Sequence, residues 1–427
     1  MQEKPVAGID VSKDFSEMCI IAPDNSVHSH TRIYHDLTSM KRALTKLEDA
    51  SNQFSDTPVI VLESTAHYHR ILAQFLQSAG YEVLIINPLQ SSSLKNINIR
   101  KVKNDKIDAY RIALLYRLKT LHSTNQPCSV LSEIRDLCRQ RSDLVHDHTS
   151  YTLRLSAILD QTFPKYSGVF SRITSKASLA ILKNYPTPSD VLAAGPDLVA
   201  QSIAVYSRRR IDSPYVLKKI ALLFDVASEA VLLNFSRESY SVLTKITIGI
   251  IEQLQQSIKL LETKIKQQAR LDSNVWTDIQ LLESIPGIGN YAATVIRAEI
   301  GNFSSFSKPK QLVAFFGLDP SVRQSGRFCG TKTKLSKRGS PYARGILDIC
   351  VQTSIHTRLG GPPRNPVLSD YYNKKLESKA PKVAKCAVMR KMVDIIFAVL
   401  RDKRPFELRT PEQHIQQMQR SVHKKAA

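Results

Sequence analysis

Four acidic residues combine types and positions suited to metal-dependent chemistry. Asp10 lies inside an apolar run and Glu63 ends another, so both are predicted in or at the end of buried strands. Asp105 and Asp108 lie three residues apart where a helical pattern starts, which places both on one helix face. Carboxylates that converge repel one another unless a cation lies between them. The four residues therefore predict a Mg²⁺ site, and in a chain this basic the expected substrate is a phosphodiester.

Each acid also has an ordinary structural interpretation. Asp10 alone fits a turn, Glu63 fits the N-terminal end of a helix, and the other two fit an exposed pair. The order of the four along the chain, together with the basic residues around the last two, favours a shared site. Lys101 and Lys103 belong to that basic stretch and are predicted to contact nucleic acid.

The charge balance points to a polyanionic partner. The chain has 427 residues, with 60 Lys and Arg against 38 Asp and Glu, which gives a formal net charge of +22. Nucleic acid is the expected partner of such a chain. No apolar run is long enough to span a bilayer, so we expect no membrane partner.

The cysteines and the N-terminus predict the compartment. Six scattered cysteines show no Cys-x-x-Cys spacing, which predicts reduced, buried thiols and neither a zinc site nor a disulfide framework. The first residues lead directly into a strand pattern, which predicts no signal peptide. We therefore expect a cytoplasmic protein.

The length and the patterns predict a multi-domain protein. We place an α/β domain at residues 1–125, a helical connector at 126–275, a mostly helical domain at 276–410 and a short tail at 411–427. In the first domain, three strands precede an alternation of helices and strands, an order typical of an RNase H-like (RuvC-like) fold. The predicted strands are Val6–Val11, residues 16–22, Val27–Tyr34, Val59–Glu63 and Val83–Ile86; helices are predicted at residues 37–48, at 69–77 and from Asp105 onward.

Two long apolar stripes mark the connector, at residues 131–163 and 243–265. Both alternate steps of three and four residues, as in a coiled coil or a helical bundle. The stripes fit an antiparallel pair within one chain and a dimerisation coiled coil equally well. Residues 164–240 show no chemical motif, and Arg208, Arg209 and Arg210 are interpreted there as a solvated face.

The C-terminal domain contains two features suited to phosphate. The segment at residues 281–293 predicts a helix, a tight glycine turn and a second helix, which is the helix-hairpin-helix pattern that offers backbone N–H groups to a phosphate. Ser325 lies on a Gly-bounded loop beside many cations, as a nucleophile for a phosphodiester requires. The residues alone favour the simpler interpretation, a turn serine followed by a phosphate-binding loop.

Basic residues of this domain are predicted to contact nucleic acid without reading its sequence. A basic stretch at 374–404 also has an apolar face, which predicts a helix docked on its own domain with a cationic outer side. The predicted contacts are Lys334, Lys337, Arg338, Arg344, Lys382 and Lys385.

Seven short motifs follow one another along the chain: Gly8-Ile-Asp-Val-Ser-Lys13, Leu62-Glu-Ser-Thr-Ala-His-Tyr68, Asn87-Pro88, Lys103-Asn-Asp-Lys-Ile-Asp-Ala109, Ile285-Pro-Gly-Ile-Gly289, Gln324-Ser-Gly326 and Leu335-Ser-Lys-Arg-Gly339. In this order they resemble the DEDD insertion-sequence transposases, the bridge-RNA-guided serine recombinases whose relatives include pilin-gene DNA invertases. The resemblance covers about residues 5–120 and 276–400. Asn104 stands where the family often has Thr, and residues 164–240 match nothing that we can place.

The resemblance implies a catalytic assignment. It implies that Asp10, Glu63, Asp105 and Asp108 bind Mg²⁺ and that Ser325 forms a covalent phosphoserine link to DNA. It further implies a homo-oligomer, a dimer or a tetramer, in which the acids and the serine meet between protomers. Donor and target DNA would be selected by a structured guide RNA, in the cytoplasm of a prokaryotic cell.

Two other functions remain open from the residues. A RuvC-like, metal-dependent, structure-specific endonuclease would need the four acids but no serine, because activated water is its nucleophile. A non-catalytic nucleic-acid-binding protein would need only the basic surface.

Overall fold

A computed structural model describes residues 4–64, 67–86, 105–118, 129–235, 239–321, 324–325, 328–329, 334–357, 361–410, 412–413 and 416. The chain forms two compact units, residues 1–126 and 127–427. The predicted domain boundaries at residues 125 and 275 stay predictions.

The first unit is built on a five-stranded mixed sheet. Its order is β3-β2-β1-β4-β5; β1, β2 and β3 pair antiparallel, whereas β4 is parallel to both β1 and β5. The opening meander follows from the short connections between the first three strands, and the parallel pairs require the helical crossovers that follow. The strands are β1 Val6–Val11, β2 Phe15–Ile21, β3 Val27–Tyr34, β4 Val59–Glu63 and β5 Val83–Ile86.

Helices cover both faces of this sheet. Helices α1 (Leu37–Phe54) and α2 (His69–Ser78) pack on the face that contains Ile9 and Leu62. Helix α3 (Asp105–Arg117) packs on the opposite face. Because both faces are covered, β1 and β4 are apolar along most of their length and not alternating.

Helix α3 lies directly on β1 at Gly8. A Cβ atom at Gly8 would lie 2.1 Å from the carbonyl oxygen of Ala109 and 2.4 Å from the backbone nitrogen of Ala113. Only glycine permits this approach, and the contact fixes where the start of α3 lies along the strand.

The strands of the first unit confirm the sequence-based prediction to within one residue at each end. The first helix is longer than predicted, since it continues to Phe54 and ends where Ser55 adopts a left-handed conformation with φ 53°. The prediction ended at residue 48 and missed residues 49–54, because the last turns of α1 are polar except at their buried face.

The second unit is mostly helical. Its helices are α4 Ser129–Thr162, α5 Lys176–Asn184, α6 Pro188–Ser207, α7 Pro214–Leu232, α8 Ser239–Ala269, α9 Ser273–Glu283, α10 Asn290–Ile300, α11 Pro309–Phe315, α12 Pro341–Ile355, α13 Pro366–Leu376 and α14 Pro381–Asp402. Two short strands, β6 (Gln324–Ser325) and β7 (Phe328–Cys329), form a hairpin between α11 and α12. Buried apolar residues form two clusters, one around α5–α7 and one around α9–α14.

Helices α4 and α8 form an antiparallel pair that connects the two clusters. Arg141 donates to Glu262 at 2.7 Å. Towards the other end of α4, the side chain of His148 is 3.2 Å from that of Gln255. Residue numbers that rise on one helix therefore fall on the other. The intramolecular antiparallel pair, one of the two arrangements that the apolar stripes allow, is present; the dimerisation coiled coil stays a prediction.

The described helices include none that is both long and apolar enough to cross a membrane.

Candidate active site

Strand register brings the first two acids together. The last paired residues of parallel strands β1 and β4 are Ile9 and Leu62. Asp10 and Glu63 come one residue later on each strand, so they are neighbours on the same face of the sheet. Glu63 is 8% exposed and therefore buried among protein atoms.

The face that carries these two acids is the face covered by α3. Gly8 lies on the same face as Asp10, two residues before it, and contacts Ala109 of α3. Asp108, the residue before Ala109, is 4% exposed. At the other end of α3, Arg117 donates to the carbonyl of Ala22 at 3.0 Å, next to Ile21, which pairs with Val6. The first turn of α3, which contains both predicted acids, therefore lies towards the end of β1 that carries Asp10.

The guanidinium of Arg111 lies beside the carboxylate of Asp108. Nη1 of Arg111 lies 3.0 Å from Oδ1 of Asp108, and both side chains are largely buried. Among the described residues, no three His, Cys, Asp or Glu side chains lie close enough to hold a metal ion. The sheet and α3 therefore place the acids on one face, while the side chains are not arranged as a closed ligand set. The donor chemistry fits Mg²⁺, which takes a few carboxylates and completes its shell with water and substrate oxygens.

A fifth acid on this face was missed by the sequence analysis. Glu17 of β2 pairs directly with Asp10 and is 1% exposed. Its charge is balanced by Arg32 of β3, whose Nε lies 2.6 Å from Oε1 of Glu17. The register between β1 and β2 is the signal that identifies Glu17, and this register is set by the turn between the two strands.

Lys101 and Lys103, predicted to contact nucleic acid, lie outside the described residues.

Ser325 lies at the end of a strand, whereas the sequence predicted a loop. Ser325 of β6 pairs with Phe328 of β7, and Gln324 pairs with Cys329. Nearer the helices the two sides of the segment are also joined, since Pro320 and Leu335 form an antiparallel bridge. Strand pairing at a hairpin end fixes the backbone of the serine more firmly than a free loop does.

The predicted cations of this unit fall into two groups. Lys334, Lys337, Arg338 and Lys382 are exposed. Two others are engaged within the protein: Arg344 donates to backbone carbonyls, and Nζ of Lys385 lies 2.7 Å from Asp348.

The predicted order of helix, tight turn and helix is present as α9, a turn and α10. Gly287 in the turn has φ +102°, and a Cβ there would lie 1.9 Å from Oγ of Ser354 on α12. Ser354 in turn donates to the carbonyl oxygen of Pro286 at 2.7 Å. The turn is therefore fastened to α12, while Gly289 at the start of α10 is exposed.

Comparison with known families assigns the chain. Residues 7–164 match a DEDD transposase model of IS110 type, and residues 279–373 match the model described as "Transposase IS116/IS110/IS902 family". The chain belongs to this transposase family. The predicted resemblance is confirmed, and the protein is a DNA transposase.

Relatives of this transposase match over nearly the whole chain. An uncharacterised protein of insertion element IS116 from Streptomyces clavuligerus is 24% identical over 93% of this chain and 95% of its own length. The pilin gene-inverting protein of Moraxella bovis is 23% identical over 96% of this chain and 99% of its own length. The transposase of insertion sequence IS1328 from Yersinia enterocolitica is 22% identical over 93% of this chain and 97% of its own length.

Proposed function

We propose that this transposase cuts and rejoins DNA through Ser325, with Mg²⁺ held by Asp10, Glu63, Asp105 and Asp108. The observation that carries the proposal is the register of β1 and β4, which sets two of the acids side by side under α3. The strand order and the acid positions also support an RNase H-like fold for the first unit.

Each group has a defined task in this proposal. When bound, Mg²⁺ would offset the negative charge that develops on the phosphate oxygens. The Ser325 oxygen attacks phosphorus, a phosphoserine ester forms, and the bond to one DNA strand breaks. The proton of the serine hydroxyl ends, through solvent, on the displaced strand oxygen. Attack by the hydroxyl of a new strand end reverses these steps and releases the serine.

The basic surface supports DNA as the substrate. The exposed cations Lys334, Lys337, Arg338 and Lys382 can neutralise backbone phosphates, and the exposed start of α10 adds backbone donors. Such contacts recognise charge and shape, so the choice of donor and target would belong to a partner that reads sequence. We propose that this partner is a structured guide RNA and that the working unit is a homo-oligomer, in the cytoplasm of a prokaryotic cell.

Trapping the covalent intermediate tests the serine. Wild-type protein incubated with its DNA and Mg²⁺, then denatured, should yield a protein–DNA adduct, and Ser325→Ala should yield none. Ser305→Ala, in an exposed turn of the same unit, should keep the adduct. An adduct that persists in Ser325→Ala, or cleavage without any adduct, would favour the alternative endonuclease that uses activated water.

Purification tests the RNA. A discrete RNA should co-purify with the protein, and removing it with a ribonuclease should abolish recombination while binding to bulk DNA remains. Recombination by RNA-free protein would contradict the guide. DNA binding with no metal-dependent cleavage under any condition would favour a non-catalytic protein.

A further inference from the structure

The two ends of the segment that carries Ser325 are in backbone contact. We name residues 317–339 the serine arm; it leaves the end of α11 at Gly317 and returns before α12 at Gly339. A Cβ at Gly317 would lie 2.7 Å from the nitrogen of Gly339, and one at Gly339 would lie 2.0 Å from the carbonyl oxygen of Phe315. The arm is therefore closed at its base by two glycines that leave no space for a side chain.

Hydrogen bonds extend this closure along the described part of the arm. Ser336 donates its backbone N–H to the carbonyl of Asp319 at 2.8 Å, and its hydroxyl donates to the carboxylate of the same residue. Ser321 donates its N–H and its hydroxyl to the carbonyl of Lys334, at 2.7 and 2.9 Å. Further along the arm, Ser325 pairs with Phe328, so backbone pairing is present both near the base of the arm and at the serine.

One side chain spans the base from outside. Arg344, in the first turn of α12, is half-buried. Its Nη1 donates to the carbonyl of Phe316 at 3.2 Å and to that of Gly339 at 2.6 Å. These carbonyls precede and end the arm, so one guanidinium fixes the two points from which the arm projects. A guanidinium is suited to this, because its donors have a rigid planar geometry.

We propose that Arg344 is a positioning residue for Ser325, not a contact to DNA. The inference rests on the proposed role of Ser325 as nucleophile. The exposed cations of the same segment, such as Arg338, contact the DNA backbone, whereas Arg344 acts through the base of the arm. Two arginines that look alike in the sequence therefore have separate tasks.

Comparing Arg344→Gln with Arg338→Gln separates these tasks. We expect Arg344→Gln to leave DNA affinity and its salt dependence unchanged and to slow adduct formation at saturating DNA by about 100-fold, the effect of roughly 1 Å of misplacement. We expect Arg338→Gln to weaken binding and to lower the slope of log K against log salt by about 1. A lowered slope in Arg344→Gln, or unchanged adduct formation, would overturn the inference.

A covalent tie distinguishes positioning from general damage to the fold. In a Cys329→Ser background, Ser321→Cys and Lys334→Cys together should form a disulfide across the arm. Oxidation should then restore adduct formation to Arg344→Gln, and reduction should remove it again. Failure of the formed disulfide to restore any activity, with the thermal midpoint unchanged, would contradict a role through the arm base.

Hydrogen exchange separates this inference from the proposed function. The N–H groups of Ser321 and Ser336 should exchange faster in Arg344→Gln than in wild type. If they do while the wild-type protein forms no adduct, the brace exists and the role of Ser325 is wrong. If they exchange at the wild-type rate, Arg344 does not hold the arm, and the inference fails whatever Ser325 does.

Discussion

Asp10 acquires its chemical surroundings from its position in the sheet and not from its neighbours in sequence. Glu63 lies beside it on one neighbouring strand and Glu17 on the other. The sequence predicted Asp10 and Glu63, since both belong to apolar runs that read clearly as strands. It did not predict Glu17, because the facing residue on an antiparallel strand depends on the turn, and a shift of one residue would move it to the opposite face.

Replacing Asp10 tests the metal site at the level of one carboxylate. Asp10→Asn should reduce Mg²⁺-dependent cleavage by at least ~100-fold, since even residues behind the ligands commonly contribute ~10–100-fold. DNA binding by the same protein should remain, because the basic surface is intact. Asp14→Asn, at an exposed position of the following turn, is the matched control. Equal activity of Asp10→Asn and Asp14→Asn in a Mg²⁺ titration would remove Asp10 from the site.

The buried thiols give a second prediction for single residues. Cys19, Cys138 and Cys350 are buried and free. Burial raises the pKa of Cys138 and of Cys350 to about 12. At pH 8 their thiolate fraction is on the order of 10⁻⁴, against roughly a quarter for an unfolded thiol. Alkylation of the native protein, followed by mass spectrometry, should therefore leave both unmodified until denaturant is added.

The same shift fixes the sign of a pH effect. Each thiol stays protonated in the folded state up to a higher pH than in the unfolded state. The free energy of unfolding therefore falls as the pH rises above ~8.5, where the unfolded thiols ionise.

The alkylation experiment also has a contradicting outcome. Rapid alkylation of Cys138 or Cys350 at pH 8 without denaturant would show that the helices around them open readily.

Among the secondary-structure elements, α3 depends on a single glycine. Gly8→Ala would push a methyl group into the backbone of α3 at Ala109 and Ala113. We expect the first unit to lose about 3 kcal/mol of unfolding free energy, at the upper end of overpacking effects, and cleavage to fall as α3 moves from the acids. Gly249→Ala in α8, where nothing lies within 4 Å, should instead stabilise by about 0.5–1 kcal/mol.

Chemical denaturation of both variants measures the difference. A Gly8→Ala protein as stable as wild type would mean that α3 does not rest on β1 as described. The sequence could not have predicted this contact, since a glycine within a strand equally fits a bulge or a close approach of another element.

The cations show the same limit of sequence-based prediction at the scale of elements. Arg338 and Arg344 lie in one basic stretch and carry the same side chain. Only the folded backbone distinguishes an exposed arginine from one that donates to the carbonyls of Phe316 and Gly339. The helix pair α4 and α8 shows a related limit. An apolar stripe predicts that one face of a helix is buried, but it does not identify the helix that packs against that face.

At the scale of the whole molecule, the acids and the serine of one active site could come from the same protomer or from two different protomers. The acids belong to the first compact unit and Ser325 to the second. If the active site forms between protomers, mixing two inactive variants should restore activity. In a mixed dimer of Asp10→Asn with Ser325→Ala, one site would combine the intact acids of one protomer with the intact serine of the other.

Co-expression and purification through two different tags would isolate this dimer. Adduct formation confined to the Asp10→Asn protomer would establish a shared site. If the mixed dimer forms but yields no adduct, each serine works with the acids of its own chain.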